Sequence, residues 1–329
     1  MVAKKMGVQV SGLALPPSPQ PNLFHAANVA DVMQSEVANI TDLVAVQRCF
    51  AQVRPDIVIH MAAQPLVRYV YRHPLEINQT NVIGTLHVLE CIRASETVRA
   101  AVLVATDKCY ENREWHWSYR ENDALGGHDP YSSSKACMEL ITESYRNSYF
   151  SGNSSVAIAT VRAGNAIGGG DWVENRLLPD LVRSISIQQA ITFRNPNAIR
   201  LWQHVLESLS GYLRLAEQFF LHGQAYAEAW NFEPDSDAAE NVRWIVEQVV
   251  RRWPELKWAI CSQPQLREAH TLKLDCSNVG DRLGWRCRWS LDEALGKTVE
   301  WYQQQMAGSD MKQFSLKQID DYLQASDLQ

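Results

Sequence analysis

Three uninterrupted apolar runs constrain this chain more than any other feature: "DIVIHMAA" (56–63), "RAAVLVATD" (99–107) and "VAIATVRAGNAIG" (156–168). Each is continuous rather than alternating, so a strand built from it needs both faces covered. Stretches of helical periodicity separate them: "ITDLVAVQRCFAQVRPD" (40–56), "INQTNVIGTLHVLECIRAS" (77–95) and "PYSSSKACMELITESYRNSYF" (130–150). Buried strands joined by helices imply parallel pairing, because a parallel neighbour requires a crossover of roughly a dozen residues or more. The fold class is therefore α/β, a Rossmann-like, doubly wound parallel sheet. "VQVSGLAL" (8–15) adds an earlier strand, followed by a proline-rich loop at Pro16, Pro17, Pro19 and Pro21.

The second half is less regular. Helices are predicted over "RLLPDLVRSISIQQ" (176–189), "QHVLESLSGYLRLAEQFF" (203–220), "NVRWIVEQVVRRW" (241–253) and "SLDEALGKTVEWYQQQM" (290–306), from apolar residues at three- and four-residue intervals. "AITFRN" (190–195) reads as a short strand and "AWNF" (229–232) as a late strand returning to the main sheet, while the final dozen residues are expected to fray. The predicted division is a Rossmann-like domain over 1–165 plus about 199–232, and a smaller C-terminal substrate-binding domain over 166–198 and 233–329.

A net charge of −6 argues against a general binder of nucleic acid or anionic membranes. No run of about 18 apolar residues is present, and "MVAKKMGVQV" lacks the pattern of a signal peptide. Cys49, Cys91, Cys109, Cys137, Cys261, Cys276 and Cys287 are odd in number and scattered without a C-x-x-C pair. That pattern favours reduced thiols in a cytoplasm over a disulfide frame or a zinc site, and no metal is expected.

In doubly wound sheets ligands bind beyond the C-terminal ends of the strands. There "TDK" delivers a hydroxyl, an acid and an amine as Thr106, Asp107 and Lys108. A solvated loop start is the plainer reading of the same three residues. "YSSSK" sets Tyr131 and Lys135 on one helix face, where the lysine is expected to hold the phenol pKa down so that Tyr131 acts as a base. Taken alone, this spacing is common among surface pairs. "HMAAQ" (60–64) ends a strand with small residues that let a flat cofactor approach, and His60 itself reads as a satisfied core or turn histidine. "RAGNAIGGGDW" (162–172) reads equally as a phosphate-binding loop or as an interdomain connection. Tryptophans such as Trp115, Trp117, Trp172 and Trp202 read as core or interface residues.

Together these segments resemble the extended short-chain dehydrogenase/reductases that act on sugar nucleotides, and among them the 4,6-dehydratases that take CDP-glucose. The resemblance is carried by "HMAAQPLVR", "TNVIGTLHVLE", "TDKCYENREW", "YRENDALGGHDPYSSSKACMEL", "VRAGNAIGGGDW", "RNPNAIRLWQHVLESLSGYL" and "LKLDCSNVGDRLGW", in family order. A lysine after Thr-Asp, then "CYENREW", is similar to the CDP-glucose branch; related epimerases and dTDP- or UDP-sugar dehydratases differ there.

The resemblance implies NAD as cofactor, CDP-glucose as substrate and CDP-4-keto-6-deoxyglucose as product. Tyr131, assisted by Lys135, would take the 4-hydroxyl proton. Asp107 would be the acid for the departing 6-hydroxyl, Lys108 would stand where the C5 base stands, and Thr106 would orient the sugar. A lysine serves as a base only where burial or a neighbouring charge lowers its pKa. Asn39, Ile40, Ala62, Ala63, Gln64 and Asn81, with Tyr131 and Lys135, would line the cofactor. Asn165, Arg176, Arg200, Gln203 and His204 would face the substrate, arginine suiting a diphosphate. A homodimer through the helices carrying "TNVIGTLHVLE" and "YSSSKACMEL" is also implied.

Several positions depart from the family pattern. No glycines fall at G-x-G-x-x-G or G-x-x-G-x-x-G spacing, so a strand–loop–helix unit of about 30 residues is expected to be absent ahead of Met1. Asn39 replaces an aspartate, Val70 a serine, Leu201 a proline, Glu233 the glycine of "NFGP" and Cys287 a proline. A nucleotide-sugar 4-epimerase or reductase, and a degenerate non-catalytic nucleotide-sugar-binding protein, are the competing readings.

Overall fold

The computed structural model describes residues 1–152, 154–186, 190–193, 196–234, 239–260 and 272–325. The first half runs α1 (Val2–Lys5), β1 (Ser11–Ala14), α2 (Leu23–Ala26), β2 (Gln34–Val37), α3 (Leu43–Val53), β3 (Ile57–His60), α4 (Val67–Val70), α5 (Pro74–Asn78), α6 (Gly84–Ala94), β4 (Ala100–Val104) and α7 (Pro130–Tyr149). Then come β5 (Ala157–Ala163), β6 (Asn165–Ile167), α8 (Leu177–Ser186), β7 (Ile191–Phe193), β8 (Ile199–His204), α9 (Val205–His222), β9 (Ala229–Phe232), β10 (Ala239–Asn241), α10 (Val242–Arg252), β11 (Trp258–Ile260), α11 (Leu291–Met306) and α12 (Met311–Gln324).

The main sheet has the order β3-β4-β5-β9, and all three of its pairings are parallel. The apolar runs explain this. Residues Ala100, Ala101, Val102 and Leu103 of β4 are fully buried, as are Ile158, Ala159 and Val161 of β5. One face packs on α3, α6 and α7 through Val46, Leu89, Ile92 and Met138. The other packs on α9 and the segment 279–287 through Tyr212, Leu215, Phe219 and Trp285. "AWNF" joins this sheet as expected. β1 and β2 form a separate parallel pair with the register Ser11↔Gln34 to Ala14↔Val37.

A second apolar core gathers Ile167, Leu181, Trp202, Ile245, Leu295 and Trp301 from β6, α8, β8, α10 and α11. Beside it, β8 lies between antiparallel β10 and parallel β6. Local chemistry sets the helix starts. Asp129 accepts from the N–H groups of Tyr131 and Ser132, with Pro130 at the first helical position, and Ser290 with Glu293 forms a capping box at α11.

Four expectations need correction. The run 156–168 is two strands, because Gly164 breaks β5 from β6 and sends the chain to another sheet. The helix expected from Gln203 begins at Val205; Gln203 and His204 close β8, with the His204 ring capping α9 at Leu206 N. The expected fraying from 318 gives way to α12, which runs to Gln324 with Gln318, Ile319 and Tyr322 buried. β2, a polar four-residue strand, was not predicted at all. Of the named tryptophans, Trp202 is buried, Trp115 and Trp172 are half-buried and Trp117 is 66 % exposed. Cys261 lies outside the described residues.

Candidate active site

The ends of β4, β5 and β9 lie side by side. Val104 is in register with Val161, Ala105 N–H donates to Val161 O at 2.8 Å, and Ala163 is in register with Phe232. The residues just beyond these strands are Thr106 to Lys108, Gly164 and Glu233. Thr106 caps a tight turn over Asp107–Cys109. Its Oγ1 donates to Asp107 Oδ1 at 2.8 Å and accepts from Lys108 N at 3.4 Å. Thr106 and Asp107 are buried, and Lys108 is half-buried.

α7 brings the other half of the cluster. Tyr131 stands in its first turn, with its hydroxyl near Thr106. Lys135, only 3 % exposed, donates from Nζ to Val104 O at 2.8 Å. Burial lowers the Lys135 pKa to about 8, against the raising effect of Glu139. Burial also pushes the Tyr131 phenol up to about 12, with the Asp107 charge adding to it. The lowering expected from Lys135 therefore does not dominate the phenol.

Beneath the cluster Arg162 and Glu139 form a buried bidentate pair, Nε to Oε1 at 2.8 Å and Nη2 to Oε2 at 2.9 Å. Thr160 donates to Glu139, and Arg162 donates to the Tyr110 hydroxyl. β5, α7 and the turn after β4 are thus locked together.

On the β3 side, Asn81 Oδ1 accepts from Gln64 N at 2.8 Å and Asn81 Nδ2 donates to Ser134 Oγ at 2.9 Å. Asn81 sits in a single wide turn, Gln79–Ile83, between α5 and α6, a distortion that often marks functional positions. Ala62, Ala63 and Gln64 are half-buried beside it. His60 is the satisfied core histidine expected: Nε2 lies 3.0 Å from Thr85 Oγ1, and burial, then the Lys135 charge, lowers its pKa to about 3. Ile40 is buried against Gly84, and exposed Asn39 bonds Thr41 N.

The expected substrate residues are more dispersed. Asn165 opens β6. Arg176 is exposed, pairs with Asp171 at 3.1 Å, and its charge reaches Tyr131. Arg200 is half-buried and donates to Ile199 O. Gln203 Nε2 is engaged with Phe232 O at 2.9 Å, and His204 is buried against Trp289. The glycines of "IGGGDW" serve packing: a Cβ on Gly169 would collide with the Trp301 ring, and Gly170 has φ +83°.

Two groups escaped the sequence reading as members of this site. The Glu139–Arg162 pair is one; a glutamate one turn after Lys135 was its only signal. The other is Glu233, buried just beyond β9, whose replacement of a glycine was visible but whose neighbours were not.

A family model described as GDP-mannose 4,6 dehydratase matches residues 20–298. The CDP-glucose 4,6-dehydratase of Salmonella typhimurium is 44 % identical over 98 % of this chain and 91 % of its own length. The dTDP-glucose 4,6-dehydratase 1 of Escherichia coli is 25 % identical over 85 % of this chain and 83 % of its own. Among solved structures, the dTDP-glucose 4,6-dehydratase of Streptomyces venezuelae with NAD and TYD bound has a TM-score of 0.76 at 20 % identity, covering 92 % of this chain and 89 % of that one. The UDP-glucose 4-epimerase of Thermotoga maritima has 0.78 at 19 % identity, covering 92 % and 94 %. Both share the Rossmann-like α/β fold.

Proposed function

Because the chain belongs to the GDP-mannose 4,6-dehydratase family, we propose that it dehydrates CDP-glucose to CDP-4-keto-6-deoxyglucose. The observation that carries this is the 44 % identity to a CDP-glucose 4,6-dehydratase across 98 % of the chain. The strand-end cluster supplies matching chemistry. The residues also fit an NAD nicotinamide: half-buried Ala62 and Ala63 leave the backbone after β3 approachable, and Asn81 fixes Gln64 and bonds Ser134, which lies between Tyr131 and Lys135 in the chain. Bound NAD supplies a hydride acceptor for C4 and a donor for C6.

The chain's own groups handle the protons. Tyr131 takes the proton of the sugar 4-hydroxyl, and the Lys135 charge, present at pH 7 with a pKa near 8, stabilises the phenolate character that develops. The ketone at C4 acidifies C5, whose proton Lys108 takes and then returns to C5 as C6 is reduced. Asp107 protonates the departing 6-hydroxyl, which leaves as water. Thr106, bonded to Asp107 and near the Tyr131 hydroxyl, orients the sugar between them. Asn39, Ile40 and Asn81 complete the cofactor side; Asn165, Arg176, Arg200, Gln203 and His204 serve the nucleotide diphosphate.

The same reading divides the chain into a Rossmann-like part (1–165 and about 199–232) and a substrate-binding part (166–198 and 233–329). It also takes the enzyme as a cytoplasmic homodimer, supported by Ile83 just ahead of α6 and Leu140 on α7, 43 % and 54 % exposed. No helix among the described residues is long and apolar enough to cross a membrane. The test is incubation of the purified chain with CDP-glucose and NAD+. A 4-keto-6-deoxy product is expected; a 4-epimer formed without loss of water overturns the reading in favour of an epimerase.

A further inference from the structure

We propose that Tyr110 and Arg162 are positioning residues for the elimination step, tying the turn that carries Asp107 and Lys108 to the helix that carries Tyr131 and Lys135. The inference rests on the dehydratase reading above for its chemistry, and on the hydrogen bonds beneath the cluster for its geometry.

The turn over Asp107–Cys109 is loosely bonded within itself. Lys108 N reaches Thr106 Oγ1 at 3.4 Å, Cys109 N reaches Thr106 O at 3.3 Å and Tyr110 N reaches Asp107 O at 3.5 Å, all longer than a good N–H···O bond. What holds its two ends therefore sets its position. Ahead of it, Ala105 N–H donates to Val161 O at 2.8 Å. Behind it, Cys109 O accepts from Gly126 N at 2.9 Å, and Tyr110 is buried with its ring stacked on Tyr119. The Tyr110 hydroxyl is used in both directions: it accepts from Arg162 Nη1 at 2.7 Å and donates to Asn231 Oδ1 at 2.8 Å.

Arg162 carries the tie across to α7. Its guanidinium grips Glu139 through Nε and Nη2, while Nη1 meets the Tyr110 hydroxyl and Glu121 O. Glu139 lies one turn after Lys135 on the same helix. Asn231 closes the network, Nδ2 donating to Tyr119 O at 3.0 Å and Asp275 O at 3.1 Å. Tyr131 and Lys135 have anchors of their own: Asp129 caps α7, Lys135 Nζ bonds Val104 O, and Ser134 accepts from Asn81. The turn relies on the phenol. Oxidation at C4 uses Tyr131 and Lys135. Elimination also needs Lys108 at C5 and Asp107 at the 6-oxygen, so it alone depends on the spacing of turn and helix. A shift of about 1 Å at a reacting group costs up to about 10²-fold. Tyr110 and Arg162, 1 % and 3 % exposed, touch neither substrate nor cofactor; they act through the turn.

Two measurements on Tyr110→Phe decide it, since this change keeps the ring against Tyr119 and deletes only the hydroxyl. Amide hydrogen exchange at Lys108 and Cys109 is expected to quicken about tenfold, with α7 at its wild-type rates. No change at the turn, or an equal change in α7, overturns the tie. In turnover of CDP-glucose, single-turnover oxidation at C4, read as NADH absorbance, should stay within about twofold. The kcat for the 4-keto-6-deoxy product should fall about tenfold to a hundredfold with KM within about twofold, so that absorbance builds up ahead of product. An unaltered kcat, or oxidation and elimination slowed alike, overturns the positioning role. Arg162→Lys keeps the charge but cannot grip Glu139 and Tyr110 at once; it is expected to give the same split should the phenylalanine variant misfold. A turn that quickens selectively, in a protein whose wild type forms no dehydrated sugar, would sink the dehydratase reading while leaving the tie standing.

Discussion

The ends of β4, β5 and β9 and the β1–β2 pair are both parallel-strand structures, yet they are built to different standards. β4 and β5 are buried almost throughout, bonded on both sides and covered by helices on both faces. β1 and β2 bond to each other, contain no buried residue and leave Val37 59 % exposed. The groups assigned to chemistry gather at the first region: buried Lys135, Thr106 and Asp107, underpinned by the Arg162–Glu139 pair. Only dense packing gives a lysine near pKa 8 and a phenol near 12 on neighbouring turns. A half-exposed strand pair positions a ligand without perturbing titratable groups.

The largest effect should follow from removing a proton-handling group at the dense end. Tyr131→Phe is expected to lower kcat by about 10²- to 10⁴-fold, with the urea midpoint barely moved. Lys108→Met should likewise abolish dehydration, and full turnover by it on CDP-glucose would strip Lys108 of the base role. The second effect is on stability. Glu139→Ala leaves Arg162 buried without its carboxylate and should cost about 3–5 kcal/mol in urea unfolding. A cost below about 1 kcal/mol would mean that the region is held by its apolar faces alone.

How much of this was legible follows from the same contrast. β4 and β5 were readable because burial of both faces leaves an unbroken apolar run, α7 because it carries a helical periodicity, and the site because Thr106-Asp107 and Tyr131-Lys135 are local motifs. β2 was not, since "QSEV" carries neither an apolar run nor a turn signal. The β8–α9 boundary was missed because "RLWQHVLE" suits either element, and the antiparallel partner β10 that decides it lies about 40 residues on. The burial of Glu233 is long-range in the same way; no spacing rule joins it to Leu274, whose N–H it accepts at 2.8 Å. The last turns of α12 were expected to fray, although Asp310 caps the helix and Tyr322 reaches back to Glu207 at 2.7 Å.

A third test turns function against stability. Lys135 has its folded pKa lowered from an ordinary 10.5 to about 8. Below pH 8 it is charged in both states, and the folded state bears the full cost of burying that charge. Between about 8 and 10.5 the unfolded chain binds the extra proton, so stability rises with pH across that window. Lys135→Met should therefore be inactive yet more stable than wild type at pH 7, by up to about 3 kcal/mol, and the gain should vanish above about pH 10.5. A destabilised variant at pH 7 would mean that the Nζ–Val104 bond outweighs the burial of charge.

The smallest effect belongs to the sparse region, and it is the sharpest check on the comparison. Phe232→Ala in fully buried β9 should cost about 3–5 kcal/mol, because its ring packs against Tyr212 and Trp285 and fills the space that Gly211 leaves. Val37→Ala in β2 removes a side chain that is already mostly in water, and should change stability by less than about 0.5 kcal/mol. The prediction concerns the ratio as much as either value. Should Val37→Ala cost as much as a core truncation, β2 is covered in solution by something that binds the β1–β2 pair, and the two regions are alike after all.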